Sequence, residues 1–349
     1  MAVDPTQLKL TKQFDRAGMF FGLARVPGTS RVFVGASDAK VYDLDLAAEK
    51  PEWKELAGHE SYVTGVALAA NSAVSGAYDG KLIWWDIPSG SIDRKLDAHS
   101  KWIRGVTASR DGKLIASFAD DMLCKVWNAV TGELLHTLAG HQPMTPHHYP
   151  SMLYVATFSA DGQFLATADK VGHIVVWSVA DGQPVQTLEA PLMYTWDPKQ
   201  RRHSIGGIRS LAFSPDGKLL AAGGTGQINN IDHLEAACRV EIFDWREGKR
   251  LVEQPGDKHK GLVERMEFSP AGDWIVAAGG ANDGFVMFLN VADGKILHQD
   301  KCPVHVYDFE LLDSQESLIA CGHGKVLQYD FAAAAPPAAA PPAVGDGKA

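Results

Sequence analysis

Four tight-turn sequences recur along the chain: Arg110-Asp111-Gly112, Ser159-Ala160-Asp161-Gly162, Ser214-Pro215-Asp216-Gly217 and Ser269-Pro270-Ala271-Gly272. Each follows a short apolar alternation, such as Leu211-Ala212-Phe213, and precedes another, such as Lys218-Leu219-Leu220-Ala221-Ala222. Asp-Gly between two alternating runs marks a β-hairpin, because glycine takes the positive φ that such turns require. Downstream of each hairpin a third run ends in a large residue, usually followed by Asp or Asn. The pairs are Tyr42-Asp43, Trp85-Asp86, Trp127-Asn128, Phe243-Asp244, Leu289-Asn290 and Tyr329-Asp330, with Trp177-Ser178 as a weaker version. A second turn and a fourth run follow, as in Thr131 to Leu138. Four short strands over roughly 40 residues is the period of a propeller blade. The pattern predicts an all-β chain: a single β-propeller with seven blades, each a four-stranded antiparallel sheet.

Composition agrees with one closed architecture. The 349 residues are 46% hydrophobic and 21% charged, with a mean hydropathy of -0.11, which is ample for a packed core. A formal charge of -9, with no basic run longer than a doublet such as Arg201-Arg202, argues against nucleic acid as a partner. Cys124, Cys238, Cys302 and Cys321 lie far apart and form no C-x-x-C pair, so they read as buried hydrophobes of a reducing compartment. The N-terminus lacks a basic n-region and an apolar h-region, and the apolar runs are too short to span a bilayer. The expectation is a cytoplasmic location without membrane attachment.

The chain resembles the WD-repeat (WD40) family over nearly its whole length. That family places a Gly-His pair before the first strand, Ser or Thr on the second, Asp in the next turn and Trp-Asp at the end of the third. Gly58-His59, Ser75, Asp79 and Trp85-Asp86 match fully, and His99, Ser117, Asp121 and Trp127 match at the same spacings. The next unit has Gly140-His141, Thr167 and Trp177, with Val171 at the Asp position. The sixth keeps His259 and Asp283 but has Gly279 and Leu289, and the seventh has His323 at the Asp position. The imidazoles read as structural: buried, each can bond a carboxylate and a hydroxyl, which an indole N–H can join, so that no polar group is orphaned.

Unit seven supplies only three strands, Val304 to Leu311, Ser317 to Cys321 and Lys325 to Phe331. Gln7 to Phe14 is the candidate fourth, closing the ring from the N-terminus. Residues 1–331 then form the propeller, and the Ala/Pro-rich residues 332–349 form a disordered tail.

Three stretches exceed what a blade needs: Gln142 to Ser151, Ala190 to Gly206 and Gly224 to Ala237. The resemblance places all three on one face. They carry His147, His148, Tyr149, Tyr194, Trp196, Arg201 and Arg202, and the aromatics and arginines among these are enriched at interface hot spots. In the resembling family, partners commonly touch positions at the mouth of the first strand, here Tyr62, Thr64, Trp102, Arg104, Met152, Tyr154, Arg209, Leu262, Glu264 and Tyr307. Tyr78 and Asp120, before the turn acids, join them. The implied function is a non-catalytic scaffold, a monomeric propeller within a larger complex, binding a protein or peptide without a cofactor. The alternative is a propeller enzyme or metal-dependent binder using His147, His148, His203, Asp232 and His233 on the loops of units four and five. That spacing is not a recognised metal motif, and the chain has no G-x-S-x-G, H-E-x-x-H or P-loop sequence.

Overall fold

The computed structural model describes residues 4–199, 202–229, 231, 236–312 and 317–331. The recurring turns form as their residues dictate. Ser109 Oγ donates to Asp111 at 2.7 Å, the Asp111 carboxylate accepts the Lys113 N–H, and Gly112 has φ of 68°. Ser159, Asp161 and Gly162 repeat this arrangement, as do Ser214, Asp216 and Gly217. At Ser269 the hydroxyl reaches Asp273 instead, at 2.6 Å, because Ala271 occupies the earlier acid position.

Five sheets are four-stranded and antiparallel, as expected, and each takes its strands in chain order. One runs Val63–Ala69, Ser72–Ala77, Lys81–Asp86 and Ile92–Asp97, and the others repeat it. The inner strands adjoin one another in a closed ring. Val63–Ala69 lies beside Ile103–Ala108, followed by Leu153–Phe158, Ile208–Phe213, Leu262–Phe268, Val306–Leu311 and the strand Leu8–Arg25, which returns to the first. Glycines permit the close approach at the centre: a Cβ on Gly65 would lie 2.5 Å from the Val106 backbone nitrogen. Between sheets the core is apolar, and its indoles are satisfied. Trp84, packed with Ile103, Ile115 and Trp127, donates its N–H to the Ala129 carbonyl of the next sheet at 2.8 Å.

The expectation of seven separate sheets is corrected. Hydrogen bonding groups the described strands of the ring into six sheets, five of four strands and one of six. The 18-residue strand Leu8–Arg25 joins what the repeat pattern had divided. Its first part pairs with Ser317–Phe331, from Leu8 opposite Phe331 to Asp15 opposite Lys325. After a register shift at Gly18, where φ is 120°, its second part pairs with Arg31–Ala36. A separate two-stranded hairpin, Tyr194–Asp197 with His203–Gly206, was not anticipated. The described helices are two 3-10 turns, Pro5–Gln7 and Pro191–Met193, and no helix is long and apolar enough to cross a membrane.

Carboxylates grip the seam at the centre. Asp308 accepts the Leu23 N–H and Glu310 the Arg25 N–H, both at 2.9 Å, while Glu267 accepts the Leu311 N–H at 3.1 Å. Burial pushes the Glu310 carboxyl up to about 7, with Glu267 nearby adding to the rise against the pull of Arg25.

Removing residues 4–15 strips the rim ladder from Ser317–Phe331 and bares a strand edge. The truncated chain should unfold at a lower temperature and self-associate, by calorimetry and size-exclusion chromatography. Unchanged unfolding would refute the closure. A second expectation concerns Glu310. Its folded pKa lies above the ordinary 4.5, so its contribution to stability is full below that value and is lost as pH rises through about 7. Glu310→Gln should flatten the pH dependence of urea unfolding across this window relative to wild type, and identical profiles would contradict the assignment.

Candidate functional site

Beneath one face of the ring, called here the upper face, imidazoles tie the turns to the strands. His59 Nδ1 lies 3.0 Å from Asp79 and its Nε2 2.8 Å from Ser75 Oγ, which also accepts the Trp85 indole N–H at 2.8 Å. An imidazole protonated at Nδ1 satisfies every atom in this set. Burial opposes the charge of Asp79, but bonds from His59 and from the Glu60 and Lys81 N–H groups outweigh it and hold the carboxyl below its usual range. His99 makes the same set with Asp121 at 3.1 Å, Ser117 at 2.8 Å and Trp127.

Two readings of this motif need correction. In the sheet of His141, Thr167 and Trp177 the acid is not missing. Asp169, two residues before Val171, pairs with His141 Nδ1 at 2.9 Å and also accepts the Val171 and His173 N–H groups. The acid reaches the imidazole from the strand end rather than from the turn. The pair His259 and Asp283 does not form. Asp283 is exposed and meets Lys301 at 2.8 Å, while His259 Nε2 is buried without a partner among the described residues and the ring stacks on Phe285. Gly279 offers no hydroxyl, so nothing draws the imidazole into a relay.

Above these anchors, aromatic rings follow one another around the mouth of the central channel. Tyr307 meets Phe21 at 5.1 Å between centroids, Phe21 meets Tyr62 at 5.9 Å, Tyr62 meets Tyr78 at 5.7 Å, and Tyr78 stacks on Trp102 at 4.6 Å. Tyr62 is 41% exposed and Trp102 51%. Arg104 fixes the crescent from within. Its Nε and Nη2 donate to the two Asp120 oxygens at 2.7 Å each, and Nη1 donates to the Tyr78 hydroxyl at 2.8 Å. The Arg209 guanidinium lies 3.5 Å above the Tyr154 ring. Tyr307 pairs its hydroxyl with His323 at 2.8 Å, and burial pushes that hydroxyl up to about 12. Arg104, Tyr154, Arg209, Glu264 and Tyr307 line one cavity of about 330 Å³. Thr64 lines the same cavity, its hydroxyl donating to the Ile103 carbonyl at 2.6 Å.

The long loops also meet. His147 lies between Tyr194 and Trp196, 3.7 Å from the Trp196 ring, and Tyr149 donates its hydroxyl to the Asp197 carbonyl at 3.0 Å. The Ile228 N–H reaches Thr195 Oγ1 at 2.9 Å, bringing in the third loop. His148 holds a positive φ of 62° and Arg202 one of 48°, while Trp196 is 40% exposed. Arg201, Asp232 and His233 lie outside the described residues. Among the described residues no group of three His, Cys, Asp or Glu side chains is placed to hold a metal ion, and His147 is occupied by its aromatic neighbours.

Sequence reasoning missed Phe21 and Lys170. Phe21 precedes Gly22 as Thr64 precedes Gly65 and Arg104 precedes Gly105, a recurrence that marks the mouth of three of the inner strands. Lys170 precedes Val171 as Tyr78 precedes Asp79, and the absent acid at Val171 concealed it.

Comparison with known proteins places this geometry in context. The family model described as WD domain, G-beta repeat, matches residues 51–86, 90–128 and 196–230. Mouse telomerase protein component 1 is 28% identical over 254 residues, covering 72% of this chain and 8% of that protein. Rat apoptotic protease-activating factor 1 is 30% identical over 174 residues, covering 50% of this chain and 13% of that protein. Eukaryotic translation initiation factor 3 subunit I of Candida albicans is 26% identical over 240 residues, covering 64% of this chain and 60% of that protein. The chain thus spans a small part of the first two relatives and under two thirds of the third.

The unequal imidazoles give a direct test. His59→Leu strands Asp79 and Ser75 and should cost about 1–3 kcal/mol in urea unfolding. His259→Leu removes a buried nitrogen that has no partner and should stay within about 0.5 kcal/mol of wild type. Equal losses would show that His259 is held by more than packing.

Proposed function

Because the chain belongs to the WD-repeat family of β-propellers, we propose that it is a non-catalytic interaction protein whose upper face receives a protein or peptide segment. The observation that carries this reading is the crescent from Tyr307 to Trp102, a continuous run of five aromatic rings with both Tyr62 and Trp102 open to solvent. Aromatic anchors of this kind, beside a cavity with fixed polar groups, are typical of binding hot spots. Tyr62, Tyr78, Trp102, Arg104, Asp120, Tyr154, Arg209, Glu264 and Tyr307 form the central part of the proposed surface. His147, His148, Tyr149, Trp196 and Arg202 extend it over the loops of the fourth and fifth units, and Arg201 belongs with them by sequence.

In this reading the six-stranded sheet counts as two units joined through Leu8–Arg25, so that the ring has seven units over residues 1–331; residues 332–349, expected from sequence to be a tail, lie outside the described residues. A place within a larger complex follows from the family, and the relative from Candida albicans is by name a subunit of a translation initiation factor. Fold alone does not specify the partner.

The test is quantitative capture of native partners on immobilised wild-type chain, Trp102→Ala and Trp196→Ala. Each exposed indole should carry a share of the affinity, and Trp102→Ala should weaken retention by about tenfold or more. Retention that survives both substitutions would move the binding surface to another face.

A further inference from the structure

Positive charge is unevenly answered around the channel mouth. Arg104 is engaged by Asp120, and Glu264 lies 3.4 Å from His305 Nε2. The Arg104 and Arg209 guanidiniums both lie over the Tyr154 ring, and Gly207 packs closely against that ring and the Lys170 backbone; neither Arg209 nor Lys170 forms an ion pair with a carboxylate among the described residues. Arg209 is stacked on Tyr154 with its Nε buried and unbonded. Lys170 is buried, and the bond its ammonium makes is a long one of 3.3 Å to the Pro150 carbonyl. Burial, together with Arg209 and Arg104 nearby, draws that ammonium down to about 8, with Asp120 opposing the change. Neighbouring cations with little water between them repel, and an anion placed between them relieves the repulsion.

Resting on the peptide-binding reading above, we infer that Arg209 and Lys170 receive the carboxylate of an Asp or Glu side chain carried by the bound segment. A planar guanidinium held flat on a ring presents fixed N–H donors, which suits a carboxylate. Asp120 and Glu264 stand at the same mouth and penalise a dianionic phosphoryl group more than a single carboxylate. The overall charge of -9 likewise disfavours a polyanion, whereas one acidic side chain flanked by apolar residues meets both the cations and the crescent.

The probe is an array of capped random dodecapeptides screened against the full chain, with the best binders remade and titrated by fluorescence anisotropy. Binders should require an Asp or Glu, and changing it to Asn or Gln should weaken binding to wild type by about tenfold. The same change should have little effect on binding to Arg209→Gln or Lys170→Met. Arg209→Lys should retain part of the preference, which guards against a variant that folds poorly, and thermal unfolding is checked for all three. Binders indifferent to their acidic residue overturn the inference, as does an equal penalty on wild type and both variants. A phosphoserine preferred over Glu by about tenfold overturns the carboxylate assignment. Binding that tolerates neutral peptides but is lost in Trp102→Ala removes the anion site and leaves the face reading intact. Failure to find any Trp102-dependent binder removes the face reading and this inference with it.

Discussion

The ring depends on one strand that serves two neighbours. Leu8–Arg25 runs from the rim, where it pairs with the C-terminal strand, to the centre, where it pairs with Arg31–Ala36. Its rim partner and the carboxylates at its inner end lie some three hundred residues away in sequence, so the chain must order much of itself before this ladder repays the entropy of closure. The seam is held at several depths. Backbone hydrogen bonds secure the rim, the Cys321 thiol reaches the Phe20 carbonyl midway, and Asp308 and Glu310 grip backbone N–H groups at the centre. The same strand seats Phe21 between Tyr62 and Tyr307, so closing the fold also completes the crescent.

Away from the seam, each sheet must bury polar groups without leaving them unanswered, and the sheets do so by different chemistry. Three use the imidazole relay. The sheet containing Cys238–Asp244 instead buries Glu241 completely against Arg239 at 2.7 Å and Arg250 at 3.0 Å. The thiol of Cys302 pairs with the Tyr329 hydroxyl at 3.0 Å, and Arg31 forks onto Asp43 at 2.7 Å. A buried ion pair stabilises little in net terms, because desolvation offsets attraction, but removing one member is costly. Divergent motifs therefore do not mark weak sheets.

This explains which parts of the structure could be read from the residues. Turn chemistry is local, so Ser109-Arg110-Asp111-Gly112 and its relatives announced the hairpins and hence the four-stranded unit. The relays of His59 and His99 were legible because spacing fixed every member. Asp169 was not, because its side chain reaches the same place from a different backbone position. His259 failed for the opposite reason: the spacing survived while the hydroxyl partner did not. Sheet count was illegible, since hydrogen-bond continuity follows the path of Leu8–Arg25 and not the repeat period. The hairpin of Tyr194–Asp197 with His203–Gly206 was not announced, because the sequence between its strands, Pro198-Lys199-Gln200-Arg201-Arg202, lacks the Asn-Gly or Asp-Gly signal. Of the candidate site, the aromatic and arginine positions other than Phe21 were found through the repeat, whereas the contacts joining them across units were not.

Those contacts decide what the face can do. An exposed aromatic free to rotate loses entropy when it is captured, which reduces the affinity gained from its area. Here most of the rings are already committed. Tyr78 is bonded by Arg104, Arg104 by Asp120, Tyr307 by His323, and His147 is held between Tyr194 and Trp196. The bond from Arg104 to Tyr78 links side chains from two sheets, so the order of that part of the surface derives from the ring beneath it. Trp102 keeps one ring face stacked on Tyr78 at an interplanar angle of 7°, leaving half its surface open while its orientation is fixed. A partner meeting this face would find its anchors in place, and the affinity would depend on complementarity to a set geometry more than on induced order.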